Sequence, residues 1–257
     1  MTQSISQNYI KKALTLLEGK GRNKNDLFIV EGEKFISEIP DGWPVECFII
    51  SEGFAGKHDV SVYENKARVR IAADHQYKKL SDTVTPQGIM AICGKRTYTL
   101  DSLPTENCLL LLCEAVSDPG NAGALIRTAD AAGAAGVILT IGCADLYCPK
   151  VIRASAGSLF HLPCVVGADA AATASLLKSR GVLLAAARLN GDILPYDTDL
   201  RRACCIMIGN EARGLSPGIS ALADIVIKIP MLGGAESLNA AAAGSVLLYE
   251  AVRQRLL

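Results

Sequence analysis

The sequence lacks the motifs that identify several common classes of enzyme. The dinucleotide signature G-x-G-x-x-G, the phosphate-binding loop G-x-x-x-x-G-K-[ST] and the zinc motif H-E-x-x-H are all absent. Only 3 histidines occur in 257 residues, and they are far apart in sequence. These absences disfavour nucleotide phosphates and metal ions as ligands. The formal net charge is zero, so any nucleic-acid surface must come from local clustering of basic residues.

Cysteines are present but form no recognisable framework. There are 9 of them, an odd number, with no C-x-x-C pair, and most sit in apolar runs such as CLLLLCEAV. We interpret them as small buried hydrophobes in a reducing compartment. The chain opens without the apolar core of a signal peptide, and its apolar runs are too short to span a bilayer. The sequence therefore predicts a soluble, cytoplasmic protein without a membrane or metal partner.

The N-terminal part of the sequence predicts a small α/β unit over residues 1–98. The first twenty or so residues place apolar side chains at helical spacing. The runs LFIVEG, VECFIIS, VRIAA and PQGIMAIC are typical of strands, and DHQYKKLSD is typical of a helix. A polar stretch containing Pro104 follows and predicts a linker over residues 99–107.

From residue 108 to 257 the pattern changes to short, continuous apolar runs. These runs are CLLLLCEAV, GVILTIG, GVLLAAARL, CCIMIGNE and DIVIKIPM, and they alternate with helical stretches. Continuous rather than alternating apolar strands indicate a parallel sheet that is buried on both faces. From periodicity alone, the prediction is an ordinary doubly wound α/β domain, because knots are rare.

Three loops that follow predicted strands are rich in glycine and small polar residues. They read SDPGNAGALIRTADAAG, IGNEARGLS and IPMLGGAESLN. In an open parallel sheet, ligands gather at the carboxyl ends of the strands. Glycines there allow a ligand to approach main-chain groups closely. The sequence thus predicts a ligand-binding edge built from these three loops.

The same segments resemble, in order and spacing, the three motifs of the SpoU (TrmH-like) branch of the SPOUT RNA methyltransferases. They are DPGNAGALIRTADAAGAAGVIL, MIGNEARGLS and IPMLGGAESLNAAAAGSVLLYE, with VIRASAGSLFHLPC between the first two. Residues 7–34 and the segment LSDTVTPQGIMAI resemble the ribosomal-protein-like substrate-binding domain that is often fused in front. The tail LNAAAAGSV departs from the commoner wording LNVSVA but keeps small residues.

The resemblance implies a fold and a reaction that periodicity does not. It implies a deep trefoil knot in which the C-terminal helix, beginning near Ser237, threads through a loop. It implies S-adenosylmethionine as cofactor, bound bent in the knot, and a homodimer that completes the site. The implied reaction is methylation of a ribose 2′-hydroxyl of RNA. Ribosomal RNA is favoured by the fused N-terminal domain, while transfer RNA and a non-catalytic RNA-binding role stay open.

The resemblance also assigns roles to residues of this sequence. Those implied to bind the cofactor are Ile208, Gly209, Asn210, Gly214, Ile229, Met231, Gly233, Gly234, Ser237 and Leu238. Those implied to be catalytic are Arg127, Asn121, Glu211, Ser237 and Asn239. Asn121 is implied to fix the catalytic arginine, and Glu211 to orient other groups of the site. In the mechanism that the family implies, Arg127 accepts the proton of the hydroxyl. Because a guanidinium holds its own proton tightly, the alternative is that Arg127 binds the adjacent phosphate and the proton passes finally to water.

Each of these polar residues also has a purely structural interpretation. Asn121, placed at the start of a predicted helix, could act only as its cap. Arg127 could pair with Asp130 at i,i+3, and Glu211 could be a surface carboxylate. Ser237 and Asn239 could cap the last helix.

Basic residues cluster near the N-terminus and predict an RNA-binding surface. This predicted surface consists of Lys11, Lys12, Lys20, Arg22 and Lys24. Arg153, in the catalytic part of the sequence, is expected to face the substrate as well. A second group, Lys78, Lys79, Lys95 and Arg96, is the next candidate. For both groups the structural alternative is a solvated face, as charge runs usually are.

Overall fold

A five-stranded mixed sheet organises the N-terminal part of the chain in the computed structural model, which describes residues 3–256. Its strand order is β1-β4-β3-β5-β2, with β5 antiparallel to β2 and β3 and with β4 parallel to β3 and β1. The elements are β1 (Gln3–Ser4), α1 (Gln7–Thr15), α2 (Gly19–Asn25), β2 (Leu27–Glu31), α3 (Glu33–Ile36), β3 (Val45–Ser51), α4 (Glu52–Ala55), α5 (Ser61–Glu64), β4 (Arg68–Ala72), α6 (Asp74–Leu80) and β5 (Ile89–Gly94). The predicted strands and the predicted helix over residues 74–82 are therefore confirmed.

Helices cover both faces of this sheet. Ile49 of β3 packs into a buried cluster with Ile10 of α1 and Leu80 of α6. Its neighbour Phe48 points to the opposite face, where its ring lies 5.2 Å from that of Tyr63 in α5. Because successive side chains of a strand alternate between faces, a strand covered on both sides needs a continuous apolar run. This explains the run VECFIIS.

The helix predicted for the first twenty or so residues is present as α1, but it ends early and a second helix, α2, follows it. α1 ends at Thr15 and α2 begins at Gly19. A Cβ on Gly21 would lie 1.9 Å from the carbonyl oxygen of Thr15, so only glycine allows this close approach. The guanidinium of Arg22 donates to the carbonyl oxygens of Leu16 and Leu17 at 2.9 and 2.8 Å. Arg22 thus satisfies carbonyls that the end of α1 leaves without helical partners.

A six-stranded sheet, parallel throughout, organises the C-terminal part. Its order is β11-β9-β10-β6-β7-β8. The elements are β6 (Leu109–Cys113), α7 (Pro119–Ala131), β7 (Gly136–Thr140), α8 (Pro149–Ser155), β8 (Cys164–Ala168), α9 (Ala170–Ser179), β9 (Leu183–Ala187), β10 (Cys204–Ile208), α10 (Pro217–Leu222), β11 (Ile225–Ile227) and α11 (Ala240–Arg255), with single 3₁₀ turns at 100–102, 158–160 and 195–197. The parallel sheet predicted from continuous apolar runs is confirmed.

β8 is the strand that the apolar pattern misses. Cys164 and Val165 are buried, but Val166 and Gly167 are exposed. β8 is an edge strand of the sheet, so one side of its outer half faces solvent. The segment therefore lacks the continuous apolar run from which the other strands were predicted.

Two helices begin at different residues from those predicted. α7 is capped by Asp118, whose carboxylate accepts from the N–H of Asn121 at 2.9 Å. α11 begins at Ala240, after Asn239, rather than near Ser237. α11 packs on α7, where a Cβ on Gly244 would lie 2.3 Å from Leu125. The threading of α11 through a loop stays a prediction.

The described chain divides into two compact units. The residues up to Arg96 form the first unit together with Tyr147–Arg153, and the remaining described residues form the second. The hydroxyl of Tyr147 donates to the carbonyl oxygen of Arg96 at 2.8 Å, and the Tyr147 ring lies 4.6 Å from that of Phe28. The predicted domain boundaries at residues 98 and 108 stay predictions. They did not foresee that Tyr147–Arg153 groups with the first unit.

Replacing Arg22 tests its structural role. We expect Arg22→Ala to lower the free energy of unfolding by about 2 kcal/mol, because two carbonyls lose a charged donor in a buried position. Urea denaturation measures this difference. The exposed neighbour Lys24 is the matched control, and Lys24→Ala should change stability by less than about 0.5 kcal/mol. Equal stability of Arg22→Ala and the wild type would contradict the buried role.

Candidate cofactor and active site

A cavity of about 420 Å³ lies at the carboxyl ends of β9, β10 and β11 in the second unit. Its walls come from the loops that follow these strands and from the start of α11. The volume falls in the range of small-molecule sites. The position agrees with the rule that parallel sheets bind ligands at the carboxyl ends of their strands.

Most of the residues implied to bind a cofactor surround this cavity. The lining includes Ile208, Gly209, Asn210, Gly214, Ile229, Met231, Ser237 and Leu238, together with Glu211. Gly233 and Gly234 lie in the same exposed loop as Ser237 but are not part of the lining. The structure thus brings eight scattered positions to one place, while their contacts with a cofactor stay predictions.

The lining also contains residues that the sequence analysis missed. The end of β9 contributes Ala187, the loop after it contributes Arg188, Leu189 and Asn190, and the loop after β10 contributes Arg213. The segment ARLNGD overlaps the end of the predicted strand GVLLAAARL and runs on beyond it. Its position at a strand end was the available signal, but its composition is ordinary.

A tight turn after β10 shapes one wall of the cavity. Asn210 and Gly214 are bonded to each other through their main chains, at 3.2 and 2.8 Å. A Cβ on Gly209 would lie 2.1 Å from the carbonyl carbon of Gly214, so no larger residue fits there. Gly214 has φ +68°, a conformation that favours glycine. Both glycines are therefore required by the turn itself.

The carboxylate of Glu211 binds donors from two loops. One oxygen accepts from the N–H of Asp118 at 3.2 Å and from the amide of Asn121 at 2.9 Å. The other accepts from the N–H and hydroxyl of Ser117 at 3.3 and 3.5 Å, and from the amide of Asn210 at 3.4 Å. Glu211 therefore joins the loop after β6 to the loop after β10.

This environment keeps Glu211 ionised. Partial burial on its own would raise the pKa of the carboxyl group, but the hydrogen bonds from Asn121 and from main-chain N–H groups outweigh it and lower the pKa. All of these donors favour the charged form. The ionised carboxylate of Glu211, which accepts hydrogen bonds from both loops, therefore holds the two loops together.

Asn121 and Asn239 extend the connection to a third loop. The amide of Asn239 donates to the side-chain oxygen of Asn121 at 2.7 Å. The side-chain oxygen of Asn239 accepts from the N–H groups of Ala241 and Ala242 at 2.8 and 3.3 Å and so caps α11. Asn121 therefore contacts Glu211 and Asn239 in this chain rather than Arg127.

Arg127 lies apart from the cavity of its own chain. It is exposed on α7, it is absent from the cavity lining, and its guanidinium makes no hydrogen bond or ion pair with any other residue within 3–256. The i,i+3 pair with Asp130 that would have explained it structurally is not formed. Instead, Asp130 binds the Nδ1 atom of His161 at 2.8 Å.

The predicted RNA-binding residues divide into exposed and engaged side chains. Lys11, Lys20 and Lys24 are exposed, whereas Lys12 forms an ion pair with Glu46 at 2.9 Å. The assignment of Arg22 to this surface is wrong, because Arg22 is only 4% exposed and its guanidinium caps α1.

The expectation that Arg153 faces the substrate stays a prediction. Arg153 belongs to the first unit, where its guanidinium pairs with Asp82 at 2.9 Å. The short segment Tyr147–Arg153 carries it there, although its sequence lies among the strands of the second unit.

Among residues 3–256, no three or more His, Cys, Asp or Glu side chains are grouped to ligate a metal ion. In the same range, none of the helices combines the length and hydrophobicity that crossing a bilayer requires.

The fold and the cavity together define a class of protein. A parallel sheet with a small-molecule cavity at the carboxyl ends of neighbouring strands is typical of α/β proteins that bind a nucleotide-like ligand. The side chains at the rim, including Glu236 and Ser237, are polar, while Ile208 and Ile229 provide apolar wall. This combination suits a ligand with one apolar and one charged part.

Comparison with known proteins identifies the family. Residues 108–249 match the SpoU rRNA Methylase family, and residues 7–91 match the MRM3-like substrate binding domain. The chain therefore belongs to the SpoU rRNA methylase family, and the resemblance seen in its motifs is confirmed.

Individual relatives resemble the chain along nearly its whole length. A 23S rRNA (uridine(2479)-2′-O)-methyltransferase of Streptomyces viridochromogenes is 33% identical over 91% of this chain and 85% of its own length. The 23S rRNA (guanosine(2553)-2′-O)-methyltransferase RlmP of Bacillus subtilis is 30% identical over 96% of this chain and 97% of its own. The crystal structure of the SpoU methyltransferase AviRb from Streptomyces viridochromogenes with its cofactor AdoMet superposes with a TM-score of 0.88, at 32% identity, covering 98% of this chain and 99% of that one.

The role of Glu211 predicts a defined pH dependence. Because its pKa is lowered in the folded protein, the carboxylate stabilises the fold above the ordinary glutamate pKa of about 4.3, and this contribution is lost as the pH falls through the lowered value. We expect Glu211→Gln to be less stable than the wild type near neutral pH, since an amide N–H would face other donors. The difference should shrink as the pH falls through the lowered pKa, because the wild-type side chain becomes neutral as well.

Urea denaturation between about pH 7 and about pH 3 tests this expectation. Glu236→Gln is the matched control, because Glu236 lies at the same cavity and its side chain makes no hydrogen bond with other described residues. That control should follow the wild type at every pH. A Glu211→Gln difference that is independent of pH would contradict the account.

Proposed function

We propose that this protein is an S-adenosylmethionine-dependent RNA methyltransferase that modifies a ribose 2′-hydroxyl of ribosomal RNA. The observation that carries the proposal is the cavity whose loops are joined through Glu211, in a chain of the SpoU family. Relatives that carry this activity in their names align with the chain along nearly its whole length. Its substrate would place it in the cytoplasm.

The residues of the cavity fit S-adenosylmethionine. Gly209 and Gly214 belong to the cavity lining and carry no side chain, which suits a close approach of an adenine edge to the main chain. Ile208, Ile229, Met231 and Leu238 provide apolar contact for the rings. Ser237 and Glu236 lie at the same cavity and suit the polar parts of the ligand. When bound, the cofactor supplies an electrophilic methyl group.

The chain contributes mainly by positioning. Holding two reactants in line can lower a barrier by about 7–11 kcal/mol. The Glu211, Asn121 and Asn239 connection fixes the three loops relative to one another, so that the cavity wall is set before the RNA arrives. Ser237, in the loop that precedes α11, would orient the ribose. Arg127 would bind the phosphate next to the target hydroxyl and hold that hydroxyl in place.

The position of Arg127 favours a homodimer. Arg127 is absent from the cavity lining of its own chain, so in this proposal a second copy presents it there. An apolar surface for such a partner exists on and before α11, where Leu238, Val246 and Tyr249 are 38%, 43% and 50% exposed. Val246 and Tyr249 stand three residues apart on α11 and therefore lie on one face of it, whereas Leu238 precedes the helix.

The first unit would bind RNA through its exposed lysines. Lys11, on α1, and Lys20 and Lys24, on α2, lie within a short stretch of chain, and none of the three forms an ion pair with a carboxylate of residues 3–256. Lysines bind phosphates as point charges. A protein of zero net charge can bind RNA through such a local surface.

Replacing Arg127 tests its assignment. We expect Arg127→Ala to lower the single-turnover rate of RNA methylation by about 10²–10³-fold, because one preorganised donor is lost. Calorimetry should show that S-adenosylmethionine still binds. Arg201→Ala is the matched control, because Arg201 is exposed and precedes β10, at the end of the strand opposite the cavity. Turnover by Arg127→Ala at the wild-type rate would overturn the assignment.

The salt dependence of RNA binding tests the lysine surface. Each phosphate contact steepens the slope of log K against log salt by about 0.7–0.9. We expect the triple variant Lys11→Gln, Lys20→Gln, Lys24→Gln to flatten this slope by about 2. The control triple Lys34→Gln, Lys57→Gln, Lys66→Gln removes the same charge from exposed positions on and after α3, α4 and α5. Equal slopes for the two variants would place the RNA surface elsewhere.

A further inference from the structure

We infer that His161 is a positioning residue that holds the carboxylate of Asp130 away from Arg127 and so keeps the Arg127 guanidinium available to RNA. The inference rests on the proposed function and adds a residue to it. Helix geometry favours an ion pair between Arg127 and Asp130, but this pair is not formed.

Arg127 and Asp130 stand three residues apart on α7, a spacing at which opposite charges are neighbours on a helix. The side chain of Asp130 is 28% exposed, so it is accessible to a partner on the helix surface. Yet the Arg127 guanidinium makes no ion pair with any of residues 3–256. A local competitor for Arg127 is thus present but engaged elsewhere.

His161 is the residue that binds the carboxylate of Asp130. It directly follows the 3₁₀ turn at 158–160, which packs against α7, and its Nδ1 atom lies 2.8 Å from Asp130 Oδ2. An aspartate carboxylate only accepts hydrogen bonds, so Nδ1 carries the hydrogen and donates. The bond therefore orients the carboxylate toward His161 in either charge state of the ring.

Release of Asp130 would reduce the activity by a modest factor. An exposed ion pair is worth about 0.2–1 kcal/mol, and RNA would have to break the Arg127–Asp130 pair before binding Arg127. We therefore expect His161→Ala to lower the single-turnover methylation rate by about two- to fivefold. The double variant His161→Ala, Asp130→Asn should recover the rate, because the competing carboxylate is gone.

The conservative variant His161→Asn separates positioning from proton transfer. An asparagine amide places an N–H near the position of Nδ1 and still binds Asp130, but it accepts no proton at neutral pH. Positioning predicts that His161→Asn keeps the wild-type rate. A role for His161 as proton acceptor predicts that His161→Asn is as impaired as His161→Ala and that the double variant does not recover.

The experiment is single-turnover methylation of ribosomal RNA by the full chain for these variants, combined with NMR of the Arg127 Nε–H group without RNA. Slower hydrogen exchange of that group in His161→Ala, reversed in the double variant, is the expected result and is independent of activity. Unchanged exchange, or no recovery in the double variant, overturns the inference. Wild-type protein that binds RNA and cofactor but methylates nothing would instead overturn the proposed function, and the NMR result would still stand.

Discussion

One carboxylate connects the loops on which the candidate site depends. Glu211 accepts hydrogen bonds from Ser117, Asp118, Asn121 and Asn210, and Asn121 in turn accepts from Asn239. These residues come from loops after β6 and β10 and from the loop that leads into α11. Loops at the end of a sheet are otherwise free to move independently. The charge of Glu211 makes its hydrogen bonds stronger than those between neutral groups.

The same connection explains why polar residues precede an apolar helix. The side-chain oxygen of Asn239 caps α11, and its amide donates to Asn121 at the start of α7. One residue therefore fixes both the start of α11 and the distance of that start from α7. Gly244 allows α11 to approach Leu125 of α7 closely. A larger residue at either contact would displace the loop that carries Ser237 and Leu238, and with it one wall of the cavity.

The parallel sheet and its ligand edge could be predicted because they depend on features that are local in sequence. Buried parallel strands require continuous apolar runs, and the cavity turn requires glycine at 209 and 214. The family resemblance then supplied the residues around the cavity. Gly234 was assigned to the cavity but lies outside its lining. The loop after β9 was missed because the composition of its segment ARLNGD does not distinguish a cavity wall from an ordinary turn.

Other features could not be predicted because they depend on contacts between distant residues. Arg22 looks like one more basic residue in a cluster, and only the end of α1 shows that its guanidinium is buried. Arg153 and its neighbours join the first unit through packing that no local pattern records. The pairing of Asp130 with His161 joins residues 31 positions apart, so the simpler helical pair with Arg127 was the natural expectation from sequence.

The most direct test of the central claim is a crystal structure of the protein with S-adenosylmethionine. The account predicts density for the cofactor in the cavity between the loops after β9, β10 and β11, against the Gly209–Gly214 turn, with the Glu211 hydrogen bonds intact. Density at another surface, or an ordered cofactor accompanied by a broken Glu211 connection, would contradict it.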